Sequence, residues 1–231
     1  MYIGFLKGSA AAAVLLCCLA GAAPAHAQEE EDAQLWTSAT AEFELGGGTT
    51  FTSQVVARFS DAAKGLAERQ LQVDLETGVG GALRVGGGYS YVTRYEDGEL
   101  ASREHRVRQQ VSAELGEVLG GRIEGRLRLE QRWRDDGDDV MLRLRPRLSW
   151  AREIGRDDLE LRLWHESFIQ LNDTDWGGEA GYARLRNQVS LRRSLAKSVA
   201  GEVGYLSQYS LSGQGPDELV HALTVAISFS L

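Results

Sequence analysis

Cysteine is nearly absent from this 231-residue chain: there are two, Cys17 and Cys18, and both lie in an N-terminal apolar stretch. That stretch carries Lys7 near its start, an apolar run from 10 to 23, and a small-x-small site at Ala25-His26-Ala27. These are the three parts of a secretory signal peptide, so residues 1–27 are expected to be cleaved and 28–231 to form one domain. The remaining chain then has no thiol, which excludes disulfides and cysteine chemistry. Lipidation is disfavoured too, because Leu16 precedes Cys17 and Cys17 precedes Cys18, and neither is the small residue the modification needs.

Long hydrophobic runs are also missing. Beyond the leader no segment offers the ~20 apolar residues of a spanning helix, which excludes a helical membrane protein but not a barrel. Proline is scarce at 3, glycine abundant at 27 and the formal charge −8; soluble proteins share such totals. Nucleic-acid binding is disfavoured by the acidic balance and the export signal.

What the chain does have is alternation. Residues 223–231, LTVAISFSL, place apolar side chains at every odd position, with Val225, Ile227, Phe229 and Leu231 on one face. A strand with faces this distinct, ending on an aromatic two residues before the last position, looks like the terminal strand that the outer-membrane barrel assembly machinery recognises. Reading backwards gives eleven candidate segments: 33–45, 50–60, 68–79, 82–94, 102–116, 121–134, 139–152, 158–170, 181–195, 198–211 and 219–231. The spacing predicts an all-β fold, a transmembrane antiparallel up-and-down β-barrel of 10–12 strands. An even count is expected of such barrels, so the eleven segments imply ten or twelve strands, with the error in 33–79. The breaks at 116–121, 153–158 and 195–198 are short and should face the periplasm. Those at 95–102, 134–139, 171–181 and 212–218 are polar and mostly acidic, and should face outward.

The faces are most distinct in 121–134. Ile123, Leu127, Leu129 and Trp133 share one side; Arg122, Glu124, Arg126, Arg128, Glu130 and Arg132 share the other. On a barrel the charged row faces a wet interior, and a one-residue slip would place it in lipid at ~2–4 kcal/mol for each Arg near the midplane. The same alternation points Arg143, Arg145 and Arg147 inward, with Glu104, Arg106, Arg108, Arg184, Arg186, Glu166, Glu160, Arg162 and Glu202. Pro146 is out of place, because it cannot donate to a ladder. Trp36, Trp133, Trp150, Tyr89, Tyr91, Tyr205, Tyr209 and Phe229 sit near segment ends, as interfacial girdles do.

Three motifs receive plain readings. His105, His165 and His221 take outward parity and form no Ser-His-Asp or His-x-His pattern, so the chain is not read as an enzyme and His165 is read as interfacial. The loops RDDGDD (134–139) and NDTD (172–175) could attract Ca²⁺ or Mg²⁺ but lack the ligand order of a calcium loop, so no metal is assigned. The run GVGGALRVGGG (78–88) lacks the Gly-Lys-Ser/Thr of a phosphate loop and is read as a tight turn and a curved wall.

With these residues in view, the chain resembles a family of bacterial outer-membrane barrels known only as domain of unknown function 2490. The matching stretches are QLWTS (34–38), REHRVRQQ (103–110), RLRLEQRW (126–133), RLRPRLSW (143–150), ESFIQLND (166–173), YARLRNQVSLRR (182–193) and VGYLSQY (203–209). The resemblance implies an outer-membrane barrel and supplies no catalytic residues or cofactor.

Two functions are expected from the interior. A narrow anion-preferring pore or solute-binding barrel would use Arg106, Arg108, Arg126, Arg128, Arg143, Arg145, Arg184 and Arg186. The alternative is a structural barrel whose arginines are closed off by Glu104, Glu124, Glu130, Glu166 and neighbouring glutamines. An outer-membrane enzyme is the third and weakest reading. Expected partners are outer-membrane lipid and lipopolysaccharide, the assembly machinery and anionic small solutes; oligomeric state is not indicated.

Overall fold

A computed structural model describes residues 29–155, 158–213 and 215–231; the expected signal peptide lies outside the described residues. Eleven strands form: Glu29–Gly46 (β1), Thr49–Ser60 (β2), Gly65–Gly80 (β3), Leu83–Glu96 (β4), Glu99–Val118 (β5), Gly121–Arg134 (β6), Val140–Ile154 (β7), Leu159–Gln170 (β8), Gly181–Ala196 (β9), Val199–Ser210 (β10) and Asp217–Ser230 (β11). Each corresponds to one segment predicted from alternation. They close into a barrel in which sequential strands are neighbours and β1 meets β11.

The expected even count does not hold. No segment among the eleven is spurious and none is hidden in 33–79. An even number is required only if every ladder is antiparallel, and here one is not: β1 and β11 pair in parallel, from Glu29 opposite Asp217 to Glu42 opposite Ser230. All other neighbours are antiparallel, so a single parallel seam closes the wall and leaves no open edge.

Connections sort by end as expected. The strand ends at Gly46, Gly80, Val118, Ile154 and Ala196 lie at one rim with Leu231, and those at Ser60, Glu96, Arg134, Gln170 and Ser210 lie at the other. The polar stretch 95–102 is mostly strand: it turns on Asp97 and Gly98 alone, both at positive φ (51° and 83°), the geometry of a two-residue Asp-Gly hairpin.

The glycine-rich run divides into two uses. Gly80 and Gly81 make the tight turn at φ 117° and 58°. Gly86 and Gly88 face inward, where a Cβ at Gly88 would strike the Asp74 carboxylate and one at Gly86 would lie 2.6 Å from Glu76 Cγ. Their bareness makes room for acids on the next strand. Pro146 also has its explanation: it pairs with Leu127 of β6, and on the β8 side the ladder lapses between Leu144–Ile169 and Arg147–Glu166.

Burial is inverted relative to a soluble protein. Among the largest fully buried side chains are Arg108, Glu104, Glu130 and Glu166, while outward Leu127, Val203 and Leu223 are 44–53 % exposed. Tyr89, Tyr91, Trp133, Tyr205 and Tyr209 ring the outside near the long-loop rim; Trp150 and Phe229 lie near the other. Trp150 lies over Gly121 and donates its indole N–H to Val118 O (2.8 Å). Trp36 departs from the girdle reading. It has the parity of Gln34 and Ser38, points inward and is buried.

Candidate functional site

Inward alternation on β3 to β9 concentrates guanidinium groups and carboxylates in one lumen, and three buried glutamates organise them. Glu104, fully buried, is bonded by Arg106 (2.7 and 3.0 Å), Arg132 (2.5 and 3.1 Å) and Arg94 (2.8 Å). Glu130, 1 % exposed, accepts from Arg143 (2.9 and 2.5 Å) and Arg145 (2.6 Å). Glu166, 2 % exposed, accepts from Arg126 (2.5 Å) and again from Arg145 (2.6 Å). Arg94 also reaches Glu68, which holds Arg58 at 2.9 Å. A carboxylate this deep must be paired, and each here carries two or three cations, so the network is held together with positive charge to spare.

Five of the eight arginines singled out from sequence belong to this system or its edge. Arg106, Arg126, Arg143 and Arg145 sit on the glutamates, and Arg108 is fixed by Asp74 (2.9 Å), Gln72 and the carbonyls of Val73 (3.3 Å) and Tyr89 (3.2 Å). The other three have only neutral partners. Arg128 donates to Gln110 (2.7 Å), Arg184 to Ser210 (3.0 Å) and Arg186 to Gln208 (2.7 Å). Arg147 lies over the Trp164 ring (4.2 Å to the centroid), and Arg192 donates to Ser228 (3.2 Å). None of these five forms an ion pair among the described residues. Of the acids singled out, Glu104, Glu130 and Glu166 are brought to arginines. Glu124 lies exposed near the short-turn rim, outside that network.

The residues not anticipated are aromatic. Phe168, 2 % exposed, is surrounded by the guanidinium carbons of Arg145 (4.5 Å), Arg186 (4.7 Å), Arg143 (5.2 Å) and Arg184 (5.9 Å). Trp36 stacks between Arg58 (3.9 Å) and Arg186 (4.9 Å). The ring faces attract the cations while leaving their N–H edges free in the plane. Trp36, Leu206, Val220 and Ala222 form a small apolar patch inside the barrel. Extending the alternation past Glu166 to Phe168, and through Gln34 to Trp36, would have found both rings.

At the long-loop rim, the 171–180 connection reaches over the lumen. Trp176 lies over Arg132 (5.2 Å) and Arg134 (5.1 Å) and donates its indole N–H to Asp139 O (2.9 Å). Asp175 accepts from the backbone N–H of Asp138 (2.9 Å) and Asp139 (3.2 Å), and the Asp139 carboxylate accepts from Asp175 N–H (2.9 Å). These N–H bonds hold the Asp175 carboxyl below its ordinary pKa. Asp135 is lowered likewise, chiefly by the Arg103 backbone N–H (2.7 Å). The acidic loops thus clasp each other, and among the described residues no group of three or more His, Cys, Asp or Glu is placed to hold a metal.

Between the two rims lies a cavity of about 930 Å³, lined from Trp176 and Glu218 at one end to Glu42 and Ser228 at the other, with Arg128, Arg147, Arg184 and Arg186 along it. A wall of this kind can hold anions by bidentate or single hydrogen bonds from guanidinium edges. Comparison with known proteins places the chain in a family and a fold. The family described as protein of unknown function DUF2490 matches residues 33–218, and the chain belongs to it. An uncharacterized protein of Methylorubrum extorquens is 32% identical over 209 residues, covering 90% of this chain and 91% of that protein. The solved structure of the NanC porin superimposes with a TM-score of 0.54 at 12% identity, covering 87% of this chain and 99% of that one. The fold is therefore a porin-like barrel, and the structural neighbour is a porin rather than an enzyme.

Proposed function

We propose that this protein is an outer-membrane barrel acting as a narrow anion-preferring passage or solute-binding barrel, with selectivity set by the arginines that have no carboxylate. The observation that carries this reading is the cavity between the rims, with Arg128, Arg147, Arg184 and Arg186 facing it on neutral partners. Fixed guanidinium charge along a lumen favours anions. The outward apolar wall, the aromatic residues near both rims and the porin-like fold support the membrane location. Carboxylate-bearing or acidic small solutes are the class that such groups recognise. No chemistry beyond binding is asked of the lumen.

A second reading, a barrel closed by its own charge network, is favoured by the glutamate-centred pairing and by the loop over the mouth. Single-channel recording of the refolded mature chain in a planar bilayer under asymmetric KCl separates the two. Discrete anion-selective steps are expected. A folded barrel that passes no current would favour the closed network.

A further inference from the structure

The outward face of β8 and β9 carries a constellation unlike the rest of the wall. His165 Nδ1 lies 2.8 Å from Asn187 Oδ1 on the facing strand, and His165 Nε2 lies 3.0 Å from Ser167 Oγ two residues along its own strand. Ser167 Oγ is in turn 2.9 Å from the Tyr182 hydroxyl. The chemistry of the amide oxygen sets the direction of the whole chain. Asn187 Oδ1 can only accept, so the His165 proton sits on Nδ1; Nε2 then accepts from Ser167, and Tyr182 donates to Ser167. That is a nucleophile, a general base and the group that orients the base.

The other two outward histidines provide the contrast. His105 meets the hydroxyl of Tyr89 and His221 that of Tyr205, each at 2.5 Å, with neither a serine nor an amide in the bonded chain. They are girdle pairs; His165 is not. The triad was invisible to a search for Ser-His-Asp in sequence, because its orienting residue is an asparagine brought opposite His165 by strand register, with His165 facing Asn187 and Ser167 facing Leu185.

Its setting suits one substrate class. Ser167 lies three residues, roughly 10 Å, from the strand end at Gln170 on the long-loop side. The site therefore lies nearer the rim than mid-strand, on the side where a spanning wall passes from apolar layer to headgroups. Leu148 lies across from His165 and Leu185 across from Ser167, which gives the triad apolar flanks for acyl chains. The β7–β8 ladder lapses here, and its register would put Pro146 opposite Ser167. The Tyr182 hydroxyl, 2.9 Å from Ser167 Oγ on the β9 side, is a side-chain donor beside the place where an oxyanion would form.

We propose that Ser167, His165 and Asn187 form a hydrolytic site for acyl esters of membrane lipid on the outer wall of the barrel. Ser167 Oγ attacks the ester carbonyl as its proton passes to His165 Nε2. The tetrahedral intermediate collapses, His165 protonates the departing alcohol oxygen, and an acyl-Ser167 ester remains. Water, deprotonated by His165, attacks that ester and releases the carboxylic acid and free Ser167. The net reaction is ester plus water giving acid plus alcohol. The membrane location rests on the reading above, but the nucleophile can be tested in detergent whether or not the lumen conducts.

The test treats the refolded, heat-modifiable barrel in micelles with a fluorophosphonate, maps the adduct by mass spectrometry, and assays acyl release from phospholipid in mixed micelles. Expected is a phosphonyl adduct on Ser167, with acyl release falling more than about 100-fold in S167A, H165A and N187A, while H221A keeps both signals. The site-mapped adduct on the unaltered protein does not depend on any variant folding. A folded barrel that takes no label at Ser167, or acyl release unchanged in S167A, would overturn the proposal.

Discussion

Two arcs of the same lumen use arginine differently. From β2 to β8, guanidinium groups converge on Glu68, Glu104, Glu130 and Glu166, and one carboxylate serves several cations. Around β9, β10 and β1 the partners of Arg184 and Arg186 are Ser210, Gln208 and the rings of Trp36 and Phe168. A residue type therefore does not define a role here; its partner does. On the first arc arginine is structural, its guanidinium bound to a carboxylate that it shares with other arginines. On the second the charge stays available, held in place by an amide, a hydroxyl or an aromatic face. Arg128 and Arg147 belong by strand to the first arc and by chemistry to the second.

The largest effect expected from breaking this contrast is on the matched arc. E130Q leaves Arg143 and Arg145 buried without the acid that joins them, and loss of one partner of a buried pair costs ~3–5 kcal/mol. R186Q removes a cation already lacking a carboxylate and should cost about 1 kcal/mol, the scale of a cation–π contact. Urea titration of the two variants in micelles, followed by tryptophan fluorescence, checks the difference. Equal losses would merge the arcs.

Next in size is a test of the wall that both arcs share. Val203 faces outward near mid-strand on β10, 53 % exposed. V203R should cost ~2–4 kcal/mol of folding into bilayers, as arginine does near a midplane. Measured in lipid vesicles, a neutral outcome would mean that this face does not meet lipid. Phe168 stands where the arcs meet, with two arginines of each around it. F168L should cost about 1–2 kcal/mol through lost ring contacts, read by the same titration.

The smallest effect concerns the clasp over the mouth. Because backbone N–H groups lower the Asp175 carboxyl, they favour the clasp at every pH above the usual carboxylate range, and this is lost as pH falls through the lowered value. The Trp176 fluorescence, taken as the difference from W176F, should stay constant from neutral to mildly acid pH and change only in stronger acid. A change centred near neutrality would contradict the clasp.

How much of this was legible in sequence follows from which forces are local. Strand positions and faces were readable, because a slip of one residue exchanges Arg126, Arg128 and Arg132 with Leu127, Leu129 and Trp133. The parallel seam was not, since nothing local marks β1 and β11 as partners. The same limit hid the choice of partner for each arginine: Glu130 meets Arg143 across a hairpin, whereas Glu166 is reached by Arg126 from two strands away across the curved interior. Trp36 was misplaced by treating an aromatic near a strand end as interfacial, when its parity with Gln34 and Ser38 already pointed inward. Asn187 beside His165 is likewise a product of register.

The most direct test of the two-arc reading is the reversal potential of single channels under a KCl gradient, compared between the unaltered barrel, R184Q/R186Q and R106Q. The expectation is anion preference in the unaltered barrel, a marked fall towards none in R184Q/R186Q, and a smaller change in R106Q, whose guanidinium is bound to Glu104. Equal shifts in the two variants, or none in R184Q/R186Q, would contradict it.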